Sequence, residues 1–463
     1  MVVRSPHFAK LQASYLFRLI AEKKEEYLQK QASGETENPS RPLISLGIGD
    51  TTQPLPPFIG NALKSAAEGL MTPEGYSGYP DWNGREDLRK LIAEKFYNNL
   101  VAPDEVIISD GSKPDLARMQ LLFGECNIAV QDPVYPAYVD GSVIAGKTGG
   151  PVGDGSSRYQ GISYLPCTPE NGFFPDLDSV ERKSYVLFFC SPNNPTGAVA
   201  SRSQLEKLVA FAKETKSVIV FDSAYSAFVN STSSGEQDVD VDSTTTFEYP
   251  RSIYEVPGGL DVAIETSSFS KLVGFTGVRL GWTVCPKKVM YEDGKTPLYD
   301  DWKRICGTYF NGPSNIAEAG GVACMQDKGQ EEMKGLINYY MRNAKALRSV
   351  LVSKGGLDVY GGVHSPYLWA KAPSGQTSWS FWQTLLEKCQ IITTPGVGFG
   401  QEGEGFVRFS CFCDHDKVAE ILREIDLVSI LVTFIIKMRI HFPWRILLLV
   451  VVSMLKIPDL HAH

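Results

Sequence analysis

The sequence predicts an α/β protein: a large domain built on a mostly parallel sheet, with a smaller α+β domain behind it. Three observations carry that prediction. Between about residues 43 and 330, short apolar runs alternate with stretches of helical periodicity. Those runs are apolar on both faces, as strands are when helices cover both sides of a sheet. After residue 330 the order changes to one long helical stretch and then further strands. On this reading residues 1–42 are an N-terminal arm that packs with the small domain, and 43–330 are the large domain. Residues 331–426 are the small domain, and 427–463 are an atypical apolar tail.

Taken in order, residues 8–31 place Leu11, Tyr15, Leu16, Leu19 and Ile20 at roughly helical spacing, with many charges after them. Residues 32–42 are polar, with Gly, Ser, Asn and Pro, and read as a loop. Strands are predicted at Val106–Ser109, Ile128–Gln131, Tyr185–Cys190, Val218–Asp222 and Val262–Thr266. A helix is predicted from Ser201 to Thr215. Ser201 and Gln204 have the spacing of a capping box, and Leu205, Leu208, Val209, Phe211 and Ala212 make its apolar face. Residues 230–249 are polar and acidic and read as an exposed loop. Asn230-Ser231-Thr232 within it matches a glycosylation sequon, taken as chance because no apolar signal run follows Met1. Later strands are predicted at Tyr367–Ala370 and Phe406–Ser410. The tail holds two apolar runs, Leu427–Ile436 and Ile446–Leu455, each about half of the ~20 residues that cross a bilayer as a helix. A membrane-associated hairpin and an atypical terminus left by a gene-model or splicing variant both fit it, and the second is the expectation.

The chain has 463 residues, of which 43% are hydrophobic and 21% charged, as in ordinary globular proteins. A net charge of -8 argues against a nucleic-acid binder, which carries a basic face. The nine cysteines are scattered, with no metal-site spacing, so they read as reduced thiols in an intracellular protein, and no metal site is expected. With no signal or clear transit peptide, the chain as written reads as cytoplasmic, or as plastid if the source is photosynthetic and the N-terminus incomplete.

The chemistry gathers around Ser267-Ser268-Phe269-Ser270-Lys271, which runs on to Gly277-Val278-Arg279. Small residues let a bulky ligand approach the backbone. The hydroxyls and Arg279 can hold a phosphate, which leaves Lys271 as an amine able to condense with a carbonyl. The bland alternative is a glycine-rich turn beside a surface lysine. Four further stretches fit the same ligand. Asp110-Gly111-Ser112-Lys113 follows a strand and opens a helix, presenting N–H groups to an anion; its bland reading is a plain turn. Tyr135 follows the next strand and can stack on a flat ring, or simply pack. Asn194 lies at a strand's C-terminal end, where ligands of open α/β sheets collect, or else forms an Asn-Pro turn. Asp222 ends its strand, with Tyr225 three residues on. A carboxylate there would keep a ring nitrogen protonated, as pyridoxal phosphate requires; otherwise it is a helix cap. The order of these features along one chain makes chance agreement improbable.

With these stretches in hand the sequence resembles the class I/II aminotransferases of pyridoxal-phosphate fold type I, and within them the diaminopimelate aminotransferases. The resemblance covers about residues 5–426. It rests on Leu46-Gly-Ile-Gly-Asp-Thr-Thr52, Ser109-Asp-Gly-Ser-Lys113, Gln131-Asp-Pro-Val-Tyr-Pro-Ala-Tyr138, Glu170-Asn-Gly-Phe-Phe-Pro-Asp176, Phe188-Phe-Cys-Ser-Pro-Asn-Asn-Pro-Thr-Gly197, Phe310-Asn-Gly312 and Thr394-Pro-Gly396. It implies a PLP-dependent aminotransferase acting on amino acids and 2-oxo acids, as a homodimer with shared active sites. It implies Lys271 as the cofactor's amine and proton shuttle. Ser112, Lys113, Ser268, Ser270 and Arg279 would surround the phosphate, and Tyr135 would stack on the ring. Asn194 and Tyr225 would meet the ring's phenolic oxygen, and Asp222 its nitrogen. Tyr79 and Asn311 would come from the partner subunit. Arg408 would grip the substrate α-carboxylate, with Tyr15, Gly49, Lys113 and Asn194 on the substrate side.

The sequence departs from the diaminopimelate pattern in two places. The family carries an acidic residue two places before the glycine that follows Gly-Tyr-Gly, and it helps hold the distal amino group. Here the stretch is Gly78-Tyr79-Pro80-Asp81-Trp82-Asn83-Gly84, so that place holds Trp82, with Asp81 one step off. The expected reaction is LL-diaminopimelate:2-oxoglutarate transamination in lysine biosynthesis, and the alternative is a lysine or broad-specificity aminotransferase. The apolar tail is the second departure. A catalytically silent relative is disfavoured by the intact Lys271, Asp222 and Arg408, and a membrane-tethered binding protein would rest on the tail alone.

Overall fold

The computed structural model describes residues 2–11, 16–36, 42–153, 157–229 and 249–424. The expected exposed loop (all but its last residue), the apolar tail and Tyr15 therefore lie outside the described residues. Among those described, no helix is long and apolar enough to cross a membrane.

The strands in chain order are β1 (Ile44–Ser45), β2 (Val106–Ser109), β3 (Asn127–Asp132), β4 (Ile162–Pro166), β5 (Tyr185–Cys190), β6 (Val218–Asp222), β7 (Ala263–Ser268), β8 (Gly281–Val284), β9 (Val359–Gly361), β10 (Tyr367–Lys371), β11 (Ile391–Ile392), β12 (Thr394–Pro395) and β13 (Phe406–Ser410). Seven of them form one sheet in the order β2-β8-β7-β6-β5-β3-β4. Only β8 runs antiparallel to its neighbours there. β5 shows why its strands carry no polar face. Leu187 and Phe189 pack on one side, with Phe221 of β6 and with Leu205, Leu208 and Val209 of the helix Arg202–Thr215. Val186 and Phe188 pack on the other, with Val220, Leu116, Met119 and Trp302. Each such fully buried side chain stabilises the fold by about 1.5–3 kcal/mol.

Local signals set the element ends. Ser201 Oγ accepts from Gln204 N–H at 3.3 Å, and Gln204 Oε1 accepts from Ser201 N–H at 2.8 Å, so the capping box closes in both directions. The helix stops at Lys216, in the left-handed region at φ 55°. The strand expected from Val262 begins one residue later: Val262 ends a short helix and β7 extends through Ser268, because Ser267 and Ser268 pair with Trp282 and Gly281 of β8.

The later part of the chain has its own core. The helix Asp327–Ser353 buries Ile337, Tyr340, Met341, Ala344, Leu347 and Leu351, the spacing of one helical face. They pack with the antiparallel sheet β12-β13-β10-β9 and with the helix Ser378–Cys389. β1 pairs in parallel with β11, Ile44 opposite Ile391, and Ile44, Leu46 and Ile20 lie in this second core. The segment just past the expected boundary at residue 43 therefore packs with the C-terminal body. The chain crosses to the large sheet after it, and that crossing brings Gly49 and Asp50 to the site. The architecture is a mixed, mostly parallel sheet covered by helices, with a second α+β layer.

Candidate active site

The C-terminal ends of parallel strands deliver the polar side chains. β2 leads into Ser112 and Lys113, β3 into Tyr135, β5 into Asn194, β6 into Asp222 and Tyr225, and β7 into Ser268, Ser270 and Lys271. Arg279 precedes β8, which runs the other way and so starts where its neighbours end. Arg408 comes from the middle of β13, and Tyr367 from the start of β10. All of these, with Gly49 and Asp50, line one cavity of about 420 Å³.

One end of the cavity is built for an anion. Gly111, at φ 123°, caps the helix Ser112–Met119, whose first N–H groups carry the positive end of the helix dipole. A Cβ on Gly111 would meet Arg279 Nη2 at 2.7 Å, so only glycine lets the guanidinium approach this close. Arg279 Nη1 donates to Thr276 O at 2.9 Å and to Ser270 Oγ at 3.4 Å. Ser268 Oγ caps the next short helix, accepting from Ser270 N–H at 3.0 Å. Ser112 Oγ is buried and has no hydrogen-bond partner among the described residues.

Asp222 lies at the floor. Its Oδ2 accepts from the Tyr138 hydroxyl at 2.6 Å and its Oδ1 from Ala224 N–H at 3.1 Å. Burial raises its pKa, while these two donors pull it down. Asp222 is not a helix cap: the short helix Ser226–Phe228 is capped at Tyr225, and the Asp222 carboxylate closes only its own turn through Ala224 N–H while it lines the cavity. Tyr135 stands edge-on to Tyr138, ring centroids 5.8 Å apart, with Lys113 Nζ 5.9 Å from the Tyr135 ring centroid.

Lys271 Nζ donates to the Gly49 carbonyl. Burial pushes its amine down to about 8, reinforced by the charges of Arg408 and Arg279 and opposed by Asp50. At neutral pH a far larger share of it is therefore neutral, and nucleophilic, than for an exposed lysine. Arg408 is 1% exposed, and its partners among the described residues are all neutral. Nη1 donates to Asn194 Oδ1 at 2.6 Å and Nη2 to Gly47 O at 2.7 Å. The Tyr367 and Phe399 rings lie 4.5 Å and 4.8 Å from its guanidinium carbon, and Nε is left without a partner. A buried guanidinium with neutral partners is strongly drawn to an entering carboxylate. Tyr225 and Tyr367 hydroxyls share a hydrogen bond of 2.8 Å. A Cβ on Gly49 would sit 2.0 Å from the Tyr367 hydroxyl, so this position admits only glycine.

The sequence profile described as aminotransferase class I and II matches residues 41–425. The chain belongs to the class I and II aminotransferases. These are PLP-dependent transferases, and so is this one. It is 48% identical to the chloroplastic LL-diaminopimelate aminotransferase of Arabidopsis thaliana over 424 residues, 91% of this chain and 86% of that one. It is 47% identical to LL-diaminopimelate aminotransferase of Protochlamydia amoebophila over 413 residues, 89% and 94% of the two chains. The solved L,L-diaminopimelate aminotransferase of Chlamydomonas reinhardtii superposes with a TM-score of 0.81 at 47% identity, covering 91% of this chain and 97% of that one.

The aminotransferase pocket suits its cofactor. The partnerless Ser112 hydroxyl and the glycine-lined approach of Arg279 leave room and donors for a phosphate at one end. Asp222 lines the floor with a carboxylate that would suit a ring nitrogen, and Lys271 lies in the same cavity. Of the residues singled out in the sequence, twelve line this cavity: Gly49, Ser112, Lys113, Tyr135, Asn194, Asp222, Tyr225, Ser268, Ser270, Lys271, Arg279 and Arg408. Tyr79 and Asn311 do not. Both are exposed, on adjoining segments joined by Asn315 Nδ2 donating to Ser77 Oγ at 2.7 Å and to Gly78 O at 2.9 Å. Sequence reasoning assigned no role to Asp50, Tyr138 or Tyr367. Asp50 and Tyr138 sit inside stretches already noticed, but no spacing says that Tyr138 reaches Asp222 or that Tyr367 reaches Tyr225.

Proposed function

We propose that this aminotransferase exchanges the amino group of LL-diaminopimelate with 2-oxoglutarate, in the synthesis of lysine. One observation carries the amino-acid part of the reading. The amine of Lys271 shares one cavity with two guanidiniums, Arg279 among hydroxyls and Arg408 among neutral partners, and these match a phosphate and an α-carboxylate. The relatives' names supply the substrate. Those relatives are chloroplastic in the two plants and carry no such designation in the bacteria, so the chemistry is not tied to one compartment.

Bound pyridoxal phosphate supplies a carbonyl that condenses with amines and a ring that draws electrons from the α-carbon. Ser112, Ser268, Ser270, Arg279 and Lys113 would hold the phosphate end, and Tyr135 would cover the ring. Asp222, oriented by Tyr138 and the Ala224 N–H, holds a proton at the ring nitrogen. Tyr225, braced by Tyr367, and the Asn194 amide nitrogen would donate to the phenolic oxygen, while the Asn194 oxygen accepts from Arg408. Arg408 would hold the donor's α-carboxylate, with Gly49, Lys113 and Asn194 on the substrate side. Lys271 Nζ, as a free amine in the same cavity, would take the α-proton as general base. Tyr79 and Asn311 reach the site of a second copy in a homodimer.

Trp82 favours one competing reading, a lysine or broad-specificity enzyme, because it puts an uncharged ring where the diaminopimelate aminotransferases have a carboxylate. A panel of amino donors against 2-oxoglutarate decides between them. LL-diaminopimelate is expected to exceed lysine in kcat/KM, and Lys271→Ala to abolish turnover with every donor. Lysine exceeding LL-diaminopimelate overturns the substrate; no activity with any donor, or normal turnover by Lys271→Ala, overturns the mechanism.

A further inference from the structure

The cavity carries more charge than these roles use. Its lining holds the cations Lys113, Lys271, Arg279 and Arg408 and the carboxylates Asp50 and Asp222. In the reading above, Arg279 meets phosphate, Asp222 the ring nitrogen and Arg408 the α-carboxylate, while Lys271 does covalent work. Asp50 is the one charged group of the lining with no role in that reading, and Lys113, which borders the phosphate end, also lies on the substrate side. Asp50 lines the cavity next to Gly49, whose carbonyl takes the Lys271 hydrogen bond, and so stands by the amine where a donor must react. It is exposed to solvent, and its charge is felt at the Lys271 amine. Trp82 has no such position: it packs beneath Lys303, 5.6 Å from its ring centroid, and does not line this cavity.

A donor ending in a carboxylate alone matches Lys113, and one ending in an ammonium alone matches a carboxylate. The far end of diaminopimelate carries both on one carbon. We propose that Asp50 recognises the distal ammonium of the donor, with Lys113 facing the distal carboxylate. The inference rests on the LL-diaminopimelate reading and adds the residue that selects for it.

The test compares two donors that differ only in that ammonium, LL-diaminopimelate and L-2-aminopimelate. Single half-reactions of the holoenzyme, followed by cofactor absorbance, give the saturation constant and the maximal rate separately. Wild type is expected to prefer LL-diaminopimelate. Asp50→Asn is expected to erase about ten- to a hundredfold of that preference, the range for a hydrogen bond to a charged group. The loss should fall mainly in the saturation constant, and Asp50→Glu should restore part of it. Retention of the full preference by Asp50→Asn overturns the proposal. So does an equal fall in maximal rate with both donors, which would mean that Asp50 acts only through Lys271. A wild type that prefers L-2-aminopimelate overturns the diaminopimelate reading and this inference together, and is visible without any variant.

Discussion

The carboxylate of Asp222 accepts at both oxygens, and the shorter of its two bonds comes from Tyr138. Tyr138 is fully buried and stacked on Phe188, ring centroids 5.4 Å apart at 12°. Tyr138→Phe therefore keeps the packing and removes one donor to the charged form. Losing that donor raises the Asp222 pKa and weakens its hold on a proton at the ring nitrogen. A hydrogen bond to a charged group is worth about 1.5–3 kcal/mol, so the half-reaction is expected to slow by about tenfold or more. The holoenzyme's absorbance titration should shift with it. Asp222→Asn, which removes the charge itself, should cost orders of magnitude, and Asp222→Glu less. An unchanged titration and rate for Tyr138→Phe would show that Ala224 N–H alone orients the carboxylate.

β6 and β7 carry most of the chemistry, and a buried carboxylate between them ties their ends together. Glu265 of β7 is 0% exposed and accepts from Ser252 Oγ at 2.6 Å, Ser223 Oγ at 2.8 Å, Tyr97 hydroxyl at 3.0 Å and Ile253 N–H at 3.3 Å. Ser223 is the residue after Asp222. Burial lifts the Glu265 pKa and the four donors lower it, leaving it raised to about 7. The folded protein thus binds this proton more tightly than the unfolded chain. Its stabilising contribution is complete below the usual carboxylate pKa of 4.5 and is lost as pH rises through about 7. At 1.36 kcal/mol per unit, that amounts to about 3 kcal/mol. Thermal unfolding of wild type is expected to fall in Tm between about pH 5 and 7, while Glu265→Gln, which cannot titrate, gives a flatter profile over the same range. Parallel profiles for the two proteins would contradict this.

Across the whole molecule, the segments around Tyr79 and Asn311 lie on the surface away from their own cavity. Tyr79 is 91% exposed, with Tyr76, Met71 and Tyr309 also largely exposed. Large apolar side chains left exposed in this number are what an interface between copies would cover. In a two-fold dimer the same patch meets itself, so each chain can complete the other's site. Light scattering should give a mass of two chains. Lys271→Ala and Tyr79→Ala, each poor alone, should recover about a quarter of wild-type activity when unfolded together and refolded, because half of the dimers are mixed and each holds one intact site. No recovery on mixing would mean that each chain carries a complete site.

The sequence alone determined the fold class, because alternation of short apolar runs with helical periodicity is a local signal. It also determined the large-sheet part of the site. Asp222 ends a strand and Ser112, Tyr135, Asn194 and Lys271 each follow one, and parallel strands bring their C-terminal ends to one edge whatever the intervening loops do. Tertiary structure decided the rest. The crossing after β1, which pairs with β11 nearly 350 residues later, puts Gly49 and Asp50 against Lys271. β13 of the second body carries Arg408 to Asn194, 214 residues away in sequence, and Tyr138 reaches Asp222 across 84 residues. No periodicity encodes such contacts, because they join side chains of different elements, the first two across separately packed cores, and a local pattern reports only which face of its own element is buried.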